Sequence, residues 1–485
     1  MKPRLKAGSQ RTRSVQWRRM KALPHFLRIA SLLLVAWSAR AGEFKVGAAA
    51  VVITPPPGTP MAGYYHFRAA EGVLDDLFAK AIVVEQDGEK AAFVGLDLIT
   101  VTRPVAVEAR ELIAKETGIA PERVMISATH SHTGPVLNRR SGLDEISGAS
   151  TPAALHYSER LPELIARAVS DANARLGAAR ASTAVGREET LSFNRRFWMN
   201  DGTVSWNPAK FSPNVVAPAG PIDPEVGILY FETNAKAPVP LATYVNFALH
   251  PDVVGGSSIS ADYPGCLAAR LADFKGAEMV TLFANGCCGN INHRNIWWAD
   301  PQKSRREADR IGTVLAAAVM KTWPELKPLV TYAPHSRSRM VTLPLPRFSE
   351  LDAAEARTLG AQMKDPKLGT VAKAKAVSIL DTLAREGKPL EAEVQAIALS
   401  DELAIVALPG EIFVELGLAL KKASPFKNTF IAELANGSIG YIPNRAAYGE
   451  GNYEVVSARC GEGSGELLIE AALELLRELR TSRAP

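Results

Sequence analysis

RVMISATHSHTG, residues 123–134, is a run of apolar and small residues that ends on two histidines, His130 and His132, and is closed by Gly134. Three later stretches repeat the pattern. LATYVNFALHP (241–251) ends on His250, LAIVALPGE (403–411) ends on Glu411, and FIAELANGSIGYIP (430–443) carries Tyr441. Each run is of strand length, apolar, and terminated by Gly or Pro. Because such runs alternate with helical patterns, the chain is expected to be α/β, with mixed β-sheets flanked by helices. In open α/β sheets, functional groups collect just beyond the carboxyl ends of the strands. Four segments far apart in the chain are thereby expected to bring two imidazoles, a carboxylate and a phenol to one sheet edge. Two His with one Glu make a catalytic zinc set that leaves a position for water.

Taken singly, each residue also has an ordinary reading. His130 and His132 point to one side of a strand that stays extended, but H-x-H pairs also occur as loop or surface histidines. His250, between Ala-Leu and Pro251, also fits a buried histidine satisfied by a carbonyl. Glu411 follows Leu-Pro-Gly and reads as the opening of a helix with Phe413, Leu416 and Leu420 on its apolar face, where a carboxylate favours the helix dipole. Tyr441 also fits a core aromatic with a hydrogen-bonded hydroxyl, and Arg195, in SFNRRF (192–197), a solvated cation. FANGCCGNINH (283–293) reads as a tight turn beside a core or a ligand, with Gly286 and Gly289 expected at positive φ. Asp262, in SADYPG (260–265), precedes a helix start, where Asp is also an ordinary N-cap. Asp262, Asn290 and Asn292 are the candidate substrate contacts.

The first 41 residues hold ten Lys or Arg, no acid, an apolar stretch from Ile29 to Trp37, and the small-residue site Ala39-Arg40-Ala41. This is the pattern of a signal peptide, too short in its apolar part to span a bilayer. Met1 and Met20 are both candidate starts. The whole chain has 56 basic and 51 acidic residues; without the leader's ten, 46 face 51, a balance of −5. No remaining Lys/Arg run points to nucleic acid or to a polybasic membrane patch, and no second long apolar stretch predicts a transmembrane segment. Cys266, Cys287, Cys288 and Cys460 are too few for a disulfide scaffold and lack paired CxxC spacing, which leaves one long-range bond or buried free thiols.

After the leader, KVGAAAVVIT (45–54), AKAIVVEQ (79–86) and KAAFVGLDLIT (90–100) read as strands, with helices expected near 104–115, 157–176, 264–274, 305–322 and 465–479. The charged, helix-prone segment 348–390, with DPKLG at its middle, reads as a helical hairpin inserted between β segments. Loops at 54–65, 138–151 and 437–452, each marked by Gly with Pro, Ser or Asn, are where substrate contacts are expected.

Taken in order, VITP (52–55), ATHSHTGP, FNRR, NFALHP, SADYPG, NGCCGNIN, LPGE and the closing YIP…NYE resemble the neutral, alkaline, non-lysosomal ceramidase superfamily, from about Gly47 to the last helix. The resemblance implies a neutral-ceramidase-like zinc amidase domain over 42–485, with one Zn2+ held by His130, His250, Glu411 and Tyr441. It places His132, Arg195 and Tyr453 around the scissile bond as catalytic residues. The implied reaction is hydrolysis of an N-acyl, ceramide-like small molecule by zinc-activated water. Two departures stand out. Where the family carries a serine in its Gly-rich turn this chain has Asn292, and the β-sandwich-like C-terminal domain of longer ceramidases is expected to be absent. The alternatives are a zinc esterase, lactonase or carbohydrate deacylase on the same scaffold, and a non-catalytic binding protein.

The leader predicts export to the periplasm or medium. N-terminal sequencing of protein recovered from those fractions should begin at Gly42, after cleavage at Ala41; an intact leader on cytoplasmic protein would refute this.

Overall fold

FAKAIVVEQ forms the strand Phe78–Gln86, and its side chains divide between two faces: Ala79, Ala81 and Val83 on one, Ile82 and Val84 on the other. Both sets are fully buried, as a near-continuous apolar run requires. The computed structural model describes residues 42–139 and 144–482; the expected signal peptide lies outside the described residues. Across the large mixed sheet the strands run Val280–Asn285, Pro240–Phe247, Glu225–Thr233, Gly177–Arg187, Lys45–Val52, Phe78–Gln86, Glu89–Leu96 and Val124–Ala128. Neighbours are antiparallel except at the two ends, where Pro240–Phe247 pairs in parallel with Val280–Asn285 and Glu89–Leu96 with Val124–Ala128. A second sheet orders Thr331–Leu343, Leu390–Ser400, Leu403–Ala407 and Asn428–Ala432, the last pair again parallel.

The two sheets pack face to face. Phe93, Phe231, Tyr244 and Leu282 of the first share a core with Ile397, Ile405 and Phe430 of the second. Phe430 lies parallel to Tyr244, ring centres 6.4 Å apart, and over Gly227, where an added Cβ would come within 2.6 Å of the Phe430 ring. Glycine at 227 is therefore a packing requirement. A polar clamp supplements this contact: buried Asn246 donates to Ile431 O at 2.8 Å and accepts from Ile431 N at 3.1 Å.

Helices cover the outer faces. Arg103–Thr117 and Pro152–Ala174 bury Ala109, Ile113, Leu161 and Ile165 against one half of the large sheet. Asp262–Lys275 and Arg305–Thr322 cover the other half with Leu267, Leu271, Ile311 and Leu315. Val414–Ala423 and Ser464–Thr481 lie on the second sheet. The result is a helix–sheet–sheet–helix sandwich, an α/β fold with mixed sheets flanked by helices. Between Leu343 and Leu390 the chain makes two helices, Glu350–Ala361, opened by a Ser349/Asp352 capping box, and Thr370–Ala384. All four cysteines are buried free thiols, which settles the open alternative against a disulfide. None of the described helices is long and apolar enough to cross a membrane.

Removing the Phe430 ring should cost about 3–5 kcal/mol through lost burial and the cavity left behind. Urea unfolding of Phe430→Ala checks this. An unchanged midpoint would mean that the two sheets do not depend on that contact.

Candidate metal centre

Three strands in parallel pairs, Val124–Ala128, Pro240–Phe247 and Leu403–Ala407, deliver His130, His250 and Glu411 a few residues past their carboxyl ends. The first strand stops at Ala128, and His130 takes a left-handed φ of 77°, so His130 and His132 do not lie on an extended strand. The turn has a local cause. His130 N donates to Leu98 O, and His130 Nδ1 lies 2.8 Å from Ile99 O. A carbonyl only accepts, so Nδ1 carries the proton and Nε2 is left as a lone pair facing inward. Fully buried Asn285 joins the two histidine segments, its amide donating to Thr129 O at 3.3 Å and its oxygen accepting from Leu249 N at 3.2 Å.

The Nε2 atoms of His130, His132 and His250 form a triangle with edges of 3.0, 3.3 and 3.2 Å. Nitrogens at about 2.0–2.1 Å from a tetrahedral ion are separated by about 3.3 Å, so the triangle fits one metal. Among the described residues, these three buried histidines form a group able to hold an ion. Glu411 Oε2 lies 3.3 Å from His130 Nε2 and is a buried oxygen with no hydrogen-bond partner. An orphaned carboxylate oxygen beside three converging imidazoles suits a cation, because unpaired it carries a desolvation cost. His132 thus joins the cluster itself, closer to the ligand set than its expected place at the scissile bond.

The helix expected to open at Glu411 begins instead at Val414. Glu411 and Ile412 are a two-residue strand in parallel register with Tyr441 and Ile442. The backbone is committed to that ladder: Glu411 N donates to Gly440 O and Phe413 N to Ile442 O. The pairing sets Glu411 beside Tyr441, whose hydroxyl favours the carboxylate's anionic form. Tyr441 Oη accepts from Arg195 at 3.1 Å, and Arg195 is buried, with its Nε 2.8 Å from Glu454 and a second nitrogen 2.6 Å from Gly289 O. Arg195 is therefore not a solvated cation; the buried Glu454 carboxylate offsets its desolvation. Tyr453 is edge-on to Tyr441 at 5.5 Å and stacked on Trp206 at 4.3 Å.

The electrostatics suit ligation. Burial pushes His132 down to about 3 and His250 well below its usual value, so both rings stay neutral, the form that binds metal. Burial also opposes charging of His130, but Glu411 outweighs it and the net direction is upward. Glu411 shifts downward against its own burial, because His130, the Tyr441 hydroxyl and Arg195 favour the anion.

Behind the ligands lies a group that the sequence reading passed over. Fully buried Glu433 accepts from Cys288 N at 3.1 Å and Ile412 N at 2.9 Å, and pairs with Cys288 Sγ at 2.9 Å. Burial raises it to about 8. It ties the 286–292 turn to the Glu411 strand. A lone acid inside apolar FIAEL was the signal available for it. Gly289 in that turn is not at positive φ, nor is Gly286. Gly289 is required by close approach, since a Cβ there would lie 2.4 Å from Glu411 O. Asp252, two residues after His250, is likewise a new member: it lies 3.8 Å from His132 Nδ1 and takes hydrogen bonds from Tyr64 at 2.5 Å and Lys303 at 2.8 Å.

Two cavities meet at the histidines. A mostly apolar one of about 190 Å³ is bounded by Met61, Ile99, Val136, Leu137 and Leu434, and all three loops singled out from the sequence contribute to its wall. A wider one of about 950 Å³ takes in Arg195, Trp206 and Asn292. His132, Tyr441 and Tyr453 border both. The three candidate substrate contacts separate here. Asn292 lines the wider cavity and accepts from Arg294 N at 3.0 Å. Asn290 borders neither cavity; it binds Val414 N and Glu415, fixing the helix that follows Glu411. Asp262, at φ 57°, gives its oxygens to the amides of Val253, Val254 and Tyr263, holding the loop after His250.

No protein-family model matches the chain, and no curated protein matches it by sequence. Solved structures do. Neutral ceramidase from Pseudomonas aeruginosa aligns with a TM-score of 0.73 at 19% identity, over 91% of this chain and 75% of that one. A ceramidase solved in complex with C2 aligns with a TM-score of 0.71 at 17% identity, over 91% and 76%. At such identity the likeness is one of backbone architecture, and by that measure the chain has the neutral ceramidase fold.

Proposed function

We propose that this chain is an exported, zinc-dependent hydrolase that cleaves the amide bond of an N-acyl, ceramide-like substrate. The observation that carries the reading is the triangle of three converging imidazole nitrogens beside an orphaned Glu411 oxygen, set where an apolar cavity meets a polar one. Two similar solved proteins are ceramidases by name, which supports an amide as the bond attacked. His130, His250 and Glu411 would hold the metal, with Tyr441 beside Glu411 and His132 at the edge of the set. When bound there, zinc would acidify a water molecule and polarise a carbonyl.

The remaining steps belong to side chains. His132 is kept neutral by burial and its Nδ1 has no hydrogen-bond partner, so the ring is free to take a proton from the attacking water and pass it to the leaving amine. The nearby Asp252 carboxylate, held down at about 2 despite its burial by His132 and Lys303, stabilises the imidazolium formed in between. Tyr453, fixed between Tyr441 and Trp206, and Arg195, fixed by Glu454, orient and stabilise the developing oxyanion. The acyl chain occupies the apolar cavity and the amine half the wider one. No side-chain nucleophile is required, so Asn292 serves only as a polar contact.

Two sets of variants test this. His130→Ala and His250→Ala should lose most of their zinc by elemental analysis while circular dichroism stays native; stoichiometric zinc in both would remove the ligand assignment. On the best substrate from a panel of ceramides, short N-acyl amino alcohols, acetylated sugars and lactones, Tyr453→Phe should lower kcat/KM by about 100–1000-fold. Asn292→Ala should lower it by only about 10–100-fold. Exclusive turnover of esters or lactones would replace the amidase reading, and a larger loss from Asn292→Ala than from Tyr453→Phe would reverse these roles.

A further inference from the structure

Residues 42–485 carry more acid than base, 51 against 46, yet the wider cavity is walled by cations. Two of these are already neutralised: Arg195 by Glu454 at 2.8 Å and Lys303 by Asp252 at 2.8 Å. The other four are Lys210, Arg294, Lys364 and Lys373, and among the described residues none has a carboxylate at ion-pair distance. Nor is any residue outside the described set Asp or Glu. Lys210 and Arg294 donate only to backbone carbonyls, those of Ala299 and Asp300 and of Asn207 and Pro208. Burial alone shifts Arg294 downward, with no acid to counter it.

Lys373 is the telling member. Surface lysines without partners are solvated and need no explanation. Lys373, however, is only 8% exposed, lies on the helix Thr370–Ala384, and has no hydrogen-bond or ion-pair partner for its ammonium among the described residues. Its stem is packed while its ammonium opens on the cavity, so the fold presents this charge to the cavity rather than to the outer surface. The residue and Lys364 both belong to the helical segment between Leu343 and Leu390, whose second helix packs on the Tyr453 helix and closes that side of the cavity. Cations gathered on the wall of a cavity that also contains the reacting centre raise the local concentration of an anionic substrate and repel a cationic one.

We propose that the amine half of the substrate carries a negatively charged group, a carboxylate, sulfonate or phosphate, recognised by Lys373 together with Lys364, Lys210 and Arg294. This names the substrate class within the N-acyl amide reading and rests on it. The unpaired cations lie in the wider cavity, where that reading puts the leaving amine, and a neutral or cationic amino alcohol leaves them unmatched.

The test uses the metal-loaded mature protein and two probes with one octanoyl chain: N-octanoyltaurine, which ends in a sulfonate, and N-octanoylethanolamine, which is neutral. Binding is measured by calorimetry, and hydrolysis separately. The sulfonate should bind at least about tenfold tighter, the effect of one charge-assisted hydrogen bond. The advantage should shrink in about 0.5 M salt and in Lys373→Met, and persist in Lys373→Arg. Lys364→Met, on an exposed turn, should show a smaller loss and serves if Lys373→Met does not fold. Equal affinities, tighter binding of the neutral probe, or a sulfonate preference unchanged in both Met variants would overturn the proposal. A sulfonate preference lost in the variants, with neither probe hydrolysed, would support the anion site while removing the amidase reading. Hydrolysis of both with no charge preference would do the reverse.

Discussion

Three imidazole nitrogens held within 3.3 Å of one another need a proton or a metal cation among them, because facing lone pairs repel. Much of the molecule is arranged to hold them there. The left-handed turn at His130, its Nδ1 contact to Ile99 O and the Asn285 bridge are all commitments of buried backbone. Buried polar groups that are fully satisfied specify a single arrangement. An unsatisfied Glu411 oxygen beside them points to what completes the set.

The sandwich makes this possible at a distance in sequence. His130 and His250 follow strands from opposite halves of the large sheet, and Glu411 and Tyr441 pair in a short ladder that follows the last two strands of the second sheet. The two halves of the large sheet meet where Leu282 packs on Gly95 and Asn285 bonds to Thr129, and the second sheet stacks on them through Tyr244, Phe430 and Asn246, which brings the carboxyl ends together. Packing in the core and chemistry at the rim are thus one constraint. Glu433 shows the link: a single carboxyl joins the turn beneath His250 to the strand bearing Glu411.

The two cavities divide labour by solvation. One exposes mainly apolar surface, from side chains such as Met61, Ile99, Val136 and Leu434, and suits a chain that leaves water; the other is wide, aromatic and cationic. The helical segment between Leu343 and Leu390 contributes to the second, so a part of the chain that stands outside both sheets shapes what the centre can accept.

Sequence by itself determined the alternation of strands and helices, the apolar runs that end in His130, His250 and Glu411, and the loops that line the apolar cavity, because periodicity and Gly/Pro punctuation are local. Helix limits such as 305–322 were legible for the same reason. What tertiary structure decided was everything that depends on a partner far along the chain. Glu411 looked like a helix start, and a ladder to Tyr441 made it a strand. His132 looked like a neighbour of the reaction, and the turn at His130 brought it into the cluster. Asp262 and Asn290 looked like substrate contacts, but backbone amides claimed their oxygens. Glu433 showed only as a lone acid in an apolar run, and Asp252 and Lys373 carried no motif; their roles rest on partners, or the lack of them, far along the chain, which a linear pattern does not hold.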